Sequence, residues 1–404
     1  MIADHALLPY GRQSVDDTDV AAVTKVLRSN WLTTGPMVEA FESDFCERVG
    51  AVGAAACANG TAALHLAALA LDLEPGDHVV VPAITFLATA NAARFVGAEV
   101  IFSDVDPDTG LMMPEHLEQA LSEAGDRRIR AVFPVHLNGQ CGDPEAIKSL
   151  ADRHQLKVVE DACHALGTTY AASDGRHTVG ASSLADLATF SFHPVKTIAT
   201  GEGGMVTATD PELLQRVKRL RNHGMTREVA EFEPEGDAFE EGAVKPWYYE
   251  MQELGFNYRL DEMSCALGLS QLARLDSFVA RRRELAELYR SRLAALAPIL
   301  RPVPMQEGCE ACLHLFVVLV DFDKAGISRA GLMNELMERG IGTQVHYIPI
   351  NRQPYYTRRY GENRLPGAED YYERCLSLPL FPDMNDSDVD RVVEALDDIL
   401  IQRT

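Results

Sequence analysis

The sequence is short of several things, and each shortage closes off a class of function. Eight cysteines are scattered through 404 residues, too sparse for the disulfide framework of a small secreted scaffold. Apolar runs such as Leu66–Leu71 and Leu315–Val320 are far shorter than a bilayer-spanning helix requires. Basic residues are outnumbered, 37 Lys and Arg against 60 Asp and Glu, leaving a net charge of −23. That balance argues against nucleic acid or an anionic membrane surface as a partner. Any phosphate must then be held by backbone dipoles or a few placed residues. No Gly-x-Gly-x-x-Gly joins a first strand to a helix, which ranks a nicotinamide oxidoreductase last. Met1–Tyr10 has no basic segment ahead of an apolar stretch, so it does not read as a secretory leader, and a cytoplasmic enzyme is expected. The cluster Cys309-x-x-Cys312-x-His314 has zinc-like spacing. It lacks a second ligand pair and runs into an apolar strand, so no metal is expected.

What is present is the composition of an ordinary globular protein, 47% hydrophobic and 24% charged. Between about residues 50 and 210, β-branched runs (Val79–Thr85, Val100–Val105, Ala131–His136, Val158–Asp161, Thr189–Phe192, Gly204–Ala208) alternate with helical stretches. The helices are Thr61–Leu71, Thr89–Val96, Pro114–Ala120 and Pro144–His154. Such alternation predicts an α/β fold with a mostly parallel central sheet and helices on both faces. Ligands then bind beyond the carboxyl ends of the strands, which directs attention to Asp104, His136, Asp161 and His193. Residues 227–245 carry no periodicity and predict a solvated acidic loop. Asp261–Leu296 is strongly helical, with Arg281–Glu287 on an exposed face. The remainder reads as strand (Leu313–Asp321), helix (Ser328–Arg339), strand (Gly342–Tyr347), loop and helix (Asp386–Ile401), a smaller α+β unit. The expected division is a large domain with an N-terminal arm over 1–255 and a small one over 256–404.

Four local patterns carry chemistry. Asn59-Gly60-Thr61 opens a helix, and its free amides make either a phosphate cradle or a plain cap. Asp161 ends a strand, with His164 three residues on; the carboxylate can pair with a protonated ring nitrogen or simply cap a helix. Lys196 follows Ser191-Phe192-His193-Pro194-Val195 and precedes Gly201-Glu202-Gly203-Gly204. A lysine so placed can lose its proton when desolvated and attack an aldehyde, although most lysines are merely solvated. Gly255-Phe256-Asn257-Tyr258-Arg259 leads into the long helical region.

Taken together these strings resemble the DegT/DnrJ/EryC1/StrS family of sugar aminotransferases, fold type I enzymes dependent on pyridoxal 5′-phosphate (PLP). The same order includes Gly35-Pro36, Thr85-Phe86, Pro134-Val135-His136-Leu137 and Glu160-Asp161-Ala162, spread over about residues 10–400. The resemblance implies Lys196 as the residue that holds the cofactor covalently and moves the catalytic proton. It implies Asp161 as partner of the ring nitrogen, His164 beside the ring hydroxyl and Phe86 stacked on the ring. Gly60, Thr61 and Ser191 are implied as phosphate ligands. Asn257 is implied to reach the cofactor phosphate of a second subunit, making the active unit a homodimer with shared sites.

The implied substrates are a nucleotide sugar and L-glutamate, which leaves as 2-oxoglutarate. Trp247–Leu254, Gln344–Pro349 and the segment around Lys196 resemble the branch of the family that aminates C4 of a UDP-linked 4-keto-6-deoxy-N-acetyl sugar on the way to pseudaminic acid. The alternatives are amination of another nucleotide sugar, at C3 or C4, and a PLP-dependent sugar dehydratase. Dehydratases of this type carry histidine in place of the lysine, so Lys196 counts against that reading. A PLP-sensing regulator would need a basic DNA-binding segment, for which neither length nor charge leaves room.

Overall fold

The computed structural model describes residues 7–181, 183–233 and 237–401. Its centre is a seven-stranded sheet: β1 (Gly53–Cys57), β2 (His78–Pro82), β3 (Glu99–Ser103), β4 (Ile129–Val132), β5 (Lys157–Asp161), β6 (Leu187–Ser191) and β7 (Gly204–Ala208). The spatial order is β1-β7-β6-β5-β4-β2-β3. Neighbours from β6 through β3 pair in parallel, whereas β7 runs antiparallel to both β1 and β6. The mostly parallel sheet expected from the alternation is therefore present. Every residue of β7 is buried, as are the Val79–Pro82 run of β2 and the Val158–Asp161 run of β5, as required of strands covered on both faces.

The covering helices include α1 (Asp17–Leu27), α2 (Pro36–Val49), α3 (Gly60–Ala70), α4 (Leu87–Phe95), α5 (Pro114–Glu123), α6 (Pro144–Arg153) and α7 (Pro211–Leu220). Helix α3 reads GTAALHLAALA and buries nine of its eleven residues. A helix apolar all round belongs inside a molecule, and its N-terminus is aimed at the carboxyl end of the sheet. Strand β1, a run of Gly, Ala and Cys, carries no β-propensity to reveal it in sequence. Its residues are small because the strand is buried between β7 and the helix α2 that precedes it.

The C-terminal part holds a three-stranded antiparallel sheet of β8 (Leu300–Pro302), β9 (Phe316–Val320) and β10 (Cys375–Leu378). Its helices are α8 (Glu262–Leu272), α9 (Leu275–Leu293), α10 (Arg329–Glu338), α11 (Pro354–Tyr360), α12 (Pro366–Arg374) and α13 (Asp386–Ile401), and its core is filled from α9, α10 and α13. The N-terminal arm joins this part: the Leu8 amide donates to Gly340 O at 2.9 Å, and the Leu380 amide to Tyr10 O at 3.0 Å. No helix among the described residues is long and apolar enough to cross a membrane.

Three expectations need correction. Asp261–Leu296 is not one helix but α8 (Glu262–Leu272) followed by α9, broken at Arg274, whose ψ of 2° leaves the helical range. Within α9 the charged stretch is not wholly exposed: Arg282 is 1% exposed and donates to the carbonyls of His314 (3.2 Å) and Leu380 (2.9 Å). Gly342–Tyr347 forms no strand; only Gln344 pairs, with Ser377 of β10, the Gly342 amide donates to Leu8 O at 2.8 Å, and Gln344–Tyr347 line a cavity. In the acidic loop 227–245, residues 234–236 lie outside the described residues. The described part is a short turn at Val229–Glu231 and a two-residue ladder between Phe239–Glu240 and Ala243–Val244.

Candidate active site

At the carboxyl ends of β5 and β6 lies a cavity of about 670 Å³. The first element to shape it is the N-terminus of α3. The Asn59 side chain accepts from the Ala62 amide at 2.8 Å, so the cap reading of Asn59 holds. Gly60 and Thr61, ahead of Ala62 in the first turn, line the cavity, where the helix dipole favours an anion. Two glycines permit this approach. A Cβ on Gly60 would stand 2.8 Å from Ser191 Cβ, and one on Gly204 would stand 2.5 Å from Asn59 O. The turn therefore sits directly on the ends of β6 and β7.

Between those strands the chain makes an excursion closed by the Phe192 amide on Gly203 O at 2.9 Å. Lys196 lies on it, half-buried in the cavity wall, its amide donating to His193 O at 2.8 Å. Desolvation lowers the pKa of its amine, opposed in part by the nearby Asp161 carboxylate. Asp161 is 5% exposed. Its Oδ2 accepts from the Thr89 hydroxyl at 2.6 Å and its Oδ1 from the Cys163 amide at 3.2 Å.

His164 closes the other side, its Nε2 3.1 Å from the Tyr347 hydroxyl and its ring centroid 4.3 Å from that of His314. The Nδ1 atoms of both histidines are buried without a hydrogen-bond partner. Burial pushes both imidazoles well below the usual histidine range, with Lys196 adding to the effect in each. Burial lowers His346 likewise, to about 3. Phe86 is 54% exposed at the mouth, its ring 6.1 Å from that of Tyr347.

Seven of the eight residues singled out in the sequence thus line one cavity: Gly60, Thr61, Phe86, Asp161, His164, Ser191 and Lys196. Asn257 does not; it is exposed, and its backbone pairs with Asn222. Of the other strand-end residues, His193 lines the cavity. Asp104 instead holds the Gly367 and Ala368 amides at 2.9 and 2.8 Å, and His136 is buried 3.3 Å from Glu160. The Cys-x-x-Cys-x-His run diverges. His314 enters the cavity, Cys312 Sγ lies 3.0 Å from His164 O, and Cys309 sits in a small ladder with Tyr170. Sequence reasoning misses Tyr10 and Thr89, and it gives His314 no part in this site. Tyr10 and His314 reach the cavity, and Thr89 sits buried behind Asp161, through tertiary packing that no local spacing signals.

A desolvated lysine, a buried carboxylate, an anion-ready helix end and orphaned imidazole nitrogens fit an anionic aromatic cofactor with a phosphate arm. Fold and site together define a PLP-dependent aminotransferase. The chain belongs to the DegT/DnrJ/EryC1/StrS aminotransferase family, whose model matches residues 13–397. It is 40% identical over 397 residues to the spore coat polysaccharide biosynthesis protein SpsC of Bacillus subtilis (strain 168), covering 97% of each chain. The aminotransferase TlmJ from Streptoalloteichus hindustanus superposes with a TM-score of 0.86 at 32% identity, over 99% of this chain and 100% of that one. Helicobacter pylori PseC, an aminotransferase involved in the biosynthesis of pseudoaminic acid, gives 0.86 at 28% identity over 98% and 100%. Solved structures of the same fold include PLP and PMP forms and one with a TDP-sugar product. This protein is accordingly a PLP-dependent sugar aminotransferase.

Proposed function

We propose that the enzyme transfers nitrogen from L-glutamate to C4 of a UDP-linked 4-keto-6-deoxy-N-acetyl sugar, the amination that leads toward pseudaminic acid. The observation carrying this reading is that Gln344, Val345, His346, Tyr347 and Ile348, within a string characteristic of that branch, line the cavity with Lys196. The relation to SpsC favours a second reading, in which a different nucleotide sugar feeds a surface polysaccharide.

The residues divide the work. With PLP bound, Lys196 would hold the cofactor aldehyde through its amine, and the same amine, when free, would carry the proton at the donor α-carbon. Its lowered pKa keeps that amine able to accept the proton. When bound, PLP supplies the electron sink that stabilises negative charge at the reacting carbon. Asp161 would pair with the ring nitrogen and balance its positive charge. His164, neutral because it is buried, would stand beside the ring hydroxyl. Gly60, Thr61 and the Ser191 hydroxyl would hold the phosphate, and Phe86 would pack on the ring face. One water would release 2-oxoglutarate while the amino group stays behind; the keto sugar would then take the same cavity, lose its oxygen as water and receive that amino group, with Lys196 carrying the proton in the opposite direction.

Asn257 serves the cofactor phosphate of a second copy, so the working unit is a homodimer. Its exposure and its position outside its own cavity support this. The proposed domain division remains 1–255 and 256–404. The deciding experiment is a mass-spectrometric assay with L-glutamate against UDP- and dTDP-linked 3-keto and 4-keto deoxy sugars. Amination of the UDP-linked 4-keto sugar is expected; product from dTDP-linked sugars alone would overturn the assignment. Mixing Lys196→Ala with Asn257→Ala protein should restore part of the activity, and no restoration would count against shared sites.

A further inference from the structure

Asp161 is held from behind by two threonines. The Thr89 hydroxyl donates to Asp161 Oδ2 at 2.6 Å, and Thr85 Oγ1 lies 2.7 Å from Thr89 Oγ1. Thr89 is fully buried and Thr85 is 2% exposed. A hydroxyl has one proton. If Thr89 gives its proton to the carboxylate, its oxygen can only accept from Thr85, so the chain Thr85 to Thr89 to Asp161 has one direction. A hydroxyl-to-carboxylate bond of this length belongs to the strong, charge-assisted class. Both threonines bracket Phe86: Thr85 precedes it, and Thr89 lies in the first turn of α4, its amide donating to Phe86 O at 3.3 Å. One five-residue segment therefore carries the aromatic side chain at the cavity mouth and the donor that grips the carboxylate at its floor.

We propose that Thr89, backed by Thr85, is a positioning residue that fixes the Asp161 carboxylate toward the cofactor ring and ties its position to that of Phe86. The proposal rests on the reading of Asp161 as the ring-nitrogen partner. Cys163 donates its amide to the other oxygen, Oδ1, so losing Thr89 leaves the carboxylate held on one side only and free to rotate. A buried charged acceptor that loses a donor loses a disproportionate share of its interaction energy.

The test uses full-length protein stripped of cofactor and then titrated with PLP. Readouts are PLP affinity by absorbance, and the single-turnover rate with saturating L-glutamate. Thr89→Val, close in shape but without the hydroxyl, should weaken PLP binding and slow the saturated half-reaction by about tenfold each. The glutamate concentration for half-saturation should stay nearly constant, and Thr89→Ser should recover most of the loss. Thr85→Val, one bond further out, should show the same direction at about threefold and decides the matter should Thr89→Val not fold. A purely structural role would instead lower the apo-protein melting temperature with affinity and saturated rate unchanged, and that result overturns the proposal. Asp161→Asn separates the two layers. If it binds PLP and reacts like wild type, the reading of Asp161 itself fails; if it is impaired while both threonine variants are not, only the relay fails.

Discussion

Two cavities of the molecule differ in a way that size conceals. The larger, about 960 Å³, lies over the edge strand β3, flanked by α5 and by α11 (Pro354–Tyr360). Its central carboxylate, Glu99, is fully engaged: Arg359 Nε at 2.8 Å, Arg94 at 2.8 Å and the Tyr360 hydroxyl at 2.7 Å. These partners, the Arg359 hydrogen bond foremost, pull its pKa down to about 2. The smaller cavity holds a lysine and histidines whose charged forms burial disfavours, with two imidazole nitrogens left unpaired. The carboxylate at the centre of the larger cleft is already answered by its neighbours, whereas a lysine and histidines desolvated together beside a buried carboxylate are the arrangement expected where chemistry is done.

That contrast breaks most sharply at Lys196. Lys196→Ala should cut amino transfer by more than about a thousandfold, since covalent anchoring and proton transfer are lost together; product formation followed by mass spectrometry checks this. Near-normal turnover would end the mechanism. Next in size, Gly60→Ala places a methyl group 2.8 Å from Ser191 Cβ. Displacement of α3 from the phosphate position should weaken PLP binding by about tenfold, the scale of a tight overpacking, measured by absorbance titration.

A pH experiment separates the two regions next. A histidine whose folded pKa is lowered binds fewer protons folded than unfolded, so its burial begins to cost stability only as pH falls below about 6.5. For His346, lowered to about 3, this cost reaches about 2 kcal/mol at pH 5. Glu99 works on a lower range. Its stabilising interactions are intact above its unfolded pKa of 4.5 and fade as pH falls toward about 2. His346→Gln should therefore flatten the fall in melting temperature between pH 6.5 and 5, whereas Glu99→Gln should leave that slope alone. The smallest effect expected is on Glu99→Gln itself: turnover within about twofold and a stability loss of about 1 kcal/mol, as for a partly exposed ion-pair network. A large loss of turnover in that variant would mean the edge cleft takes part in function.

Much of this is legible in the order of residues alone. The alternation of β-branched runs and helical stretches predicts the parallel sheet, because the two periods are local properties of the chain. Lys196, Asp161 and the Gly60-Thr61 turn stand out because each ends or follows a strand at the side where such sheets bind ligands. Strand β1 is not legible, because Gly-Ala-Ala-Ala-Cys has no propensity to betray it. Arg282 looks like any surface arginine in a charged helix, yet α9 buries it against two carbonyls. Gly342–Tyr347 reads as a strand but makes only one bridge, at Gln344, and Gln344–Tyr347 line the cavity instead, a tertiary placement that β-propensity does not specify.

The sequence by itself determined the alternation that builds the architecture and picked out Lys196 and the candidate groups around it, since periodicity and residue chemistry are written along the chain. Only the tertiary structure decided how those groups are conditioned. It brought Tyr347 and His314, each more than a hundred residues away in sequence, against His164 and buried Thr89 behind Asp161. Desolvation and hydrogen bonding act through space, and no local pattern of residues specifies them.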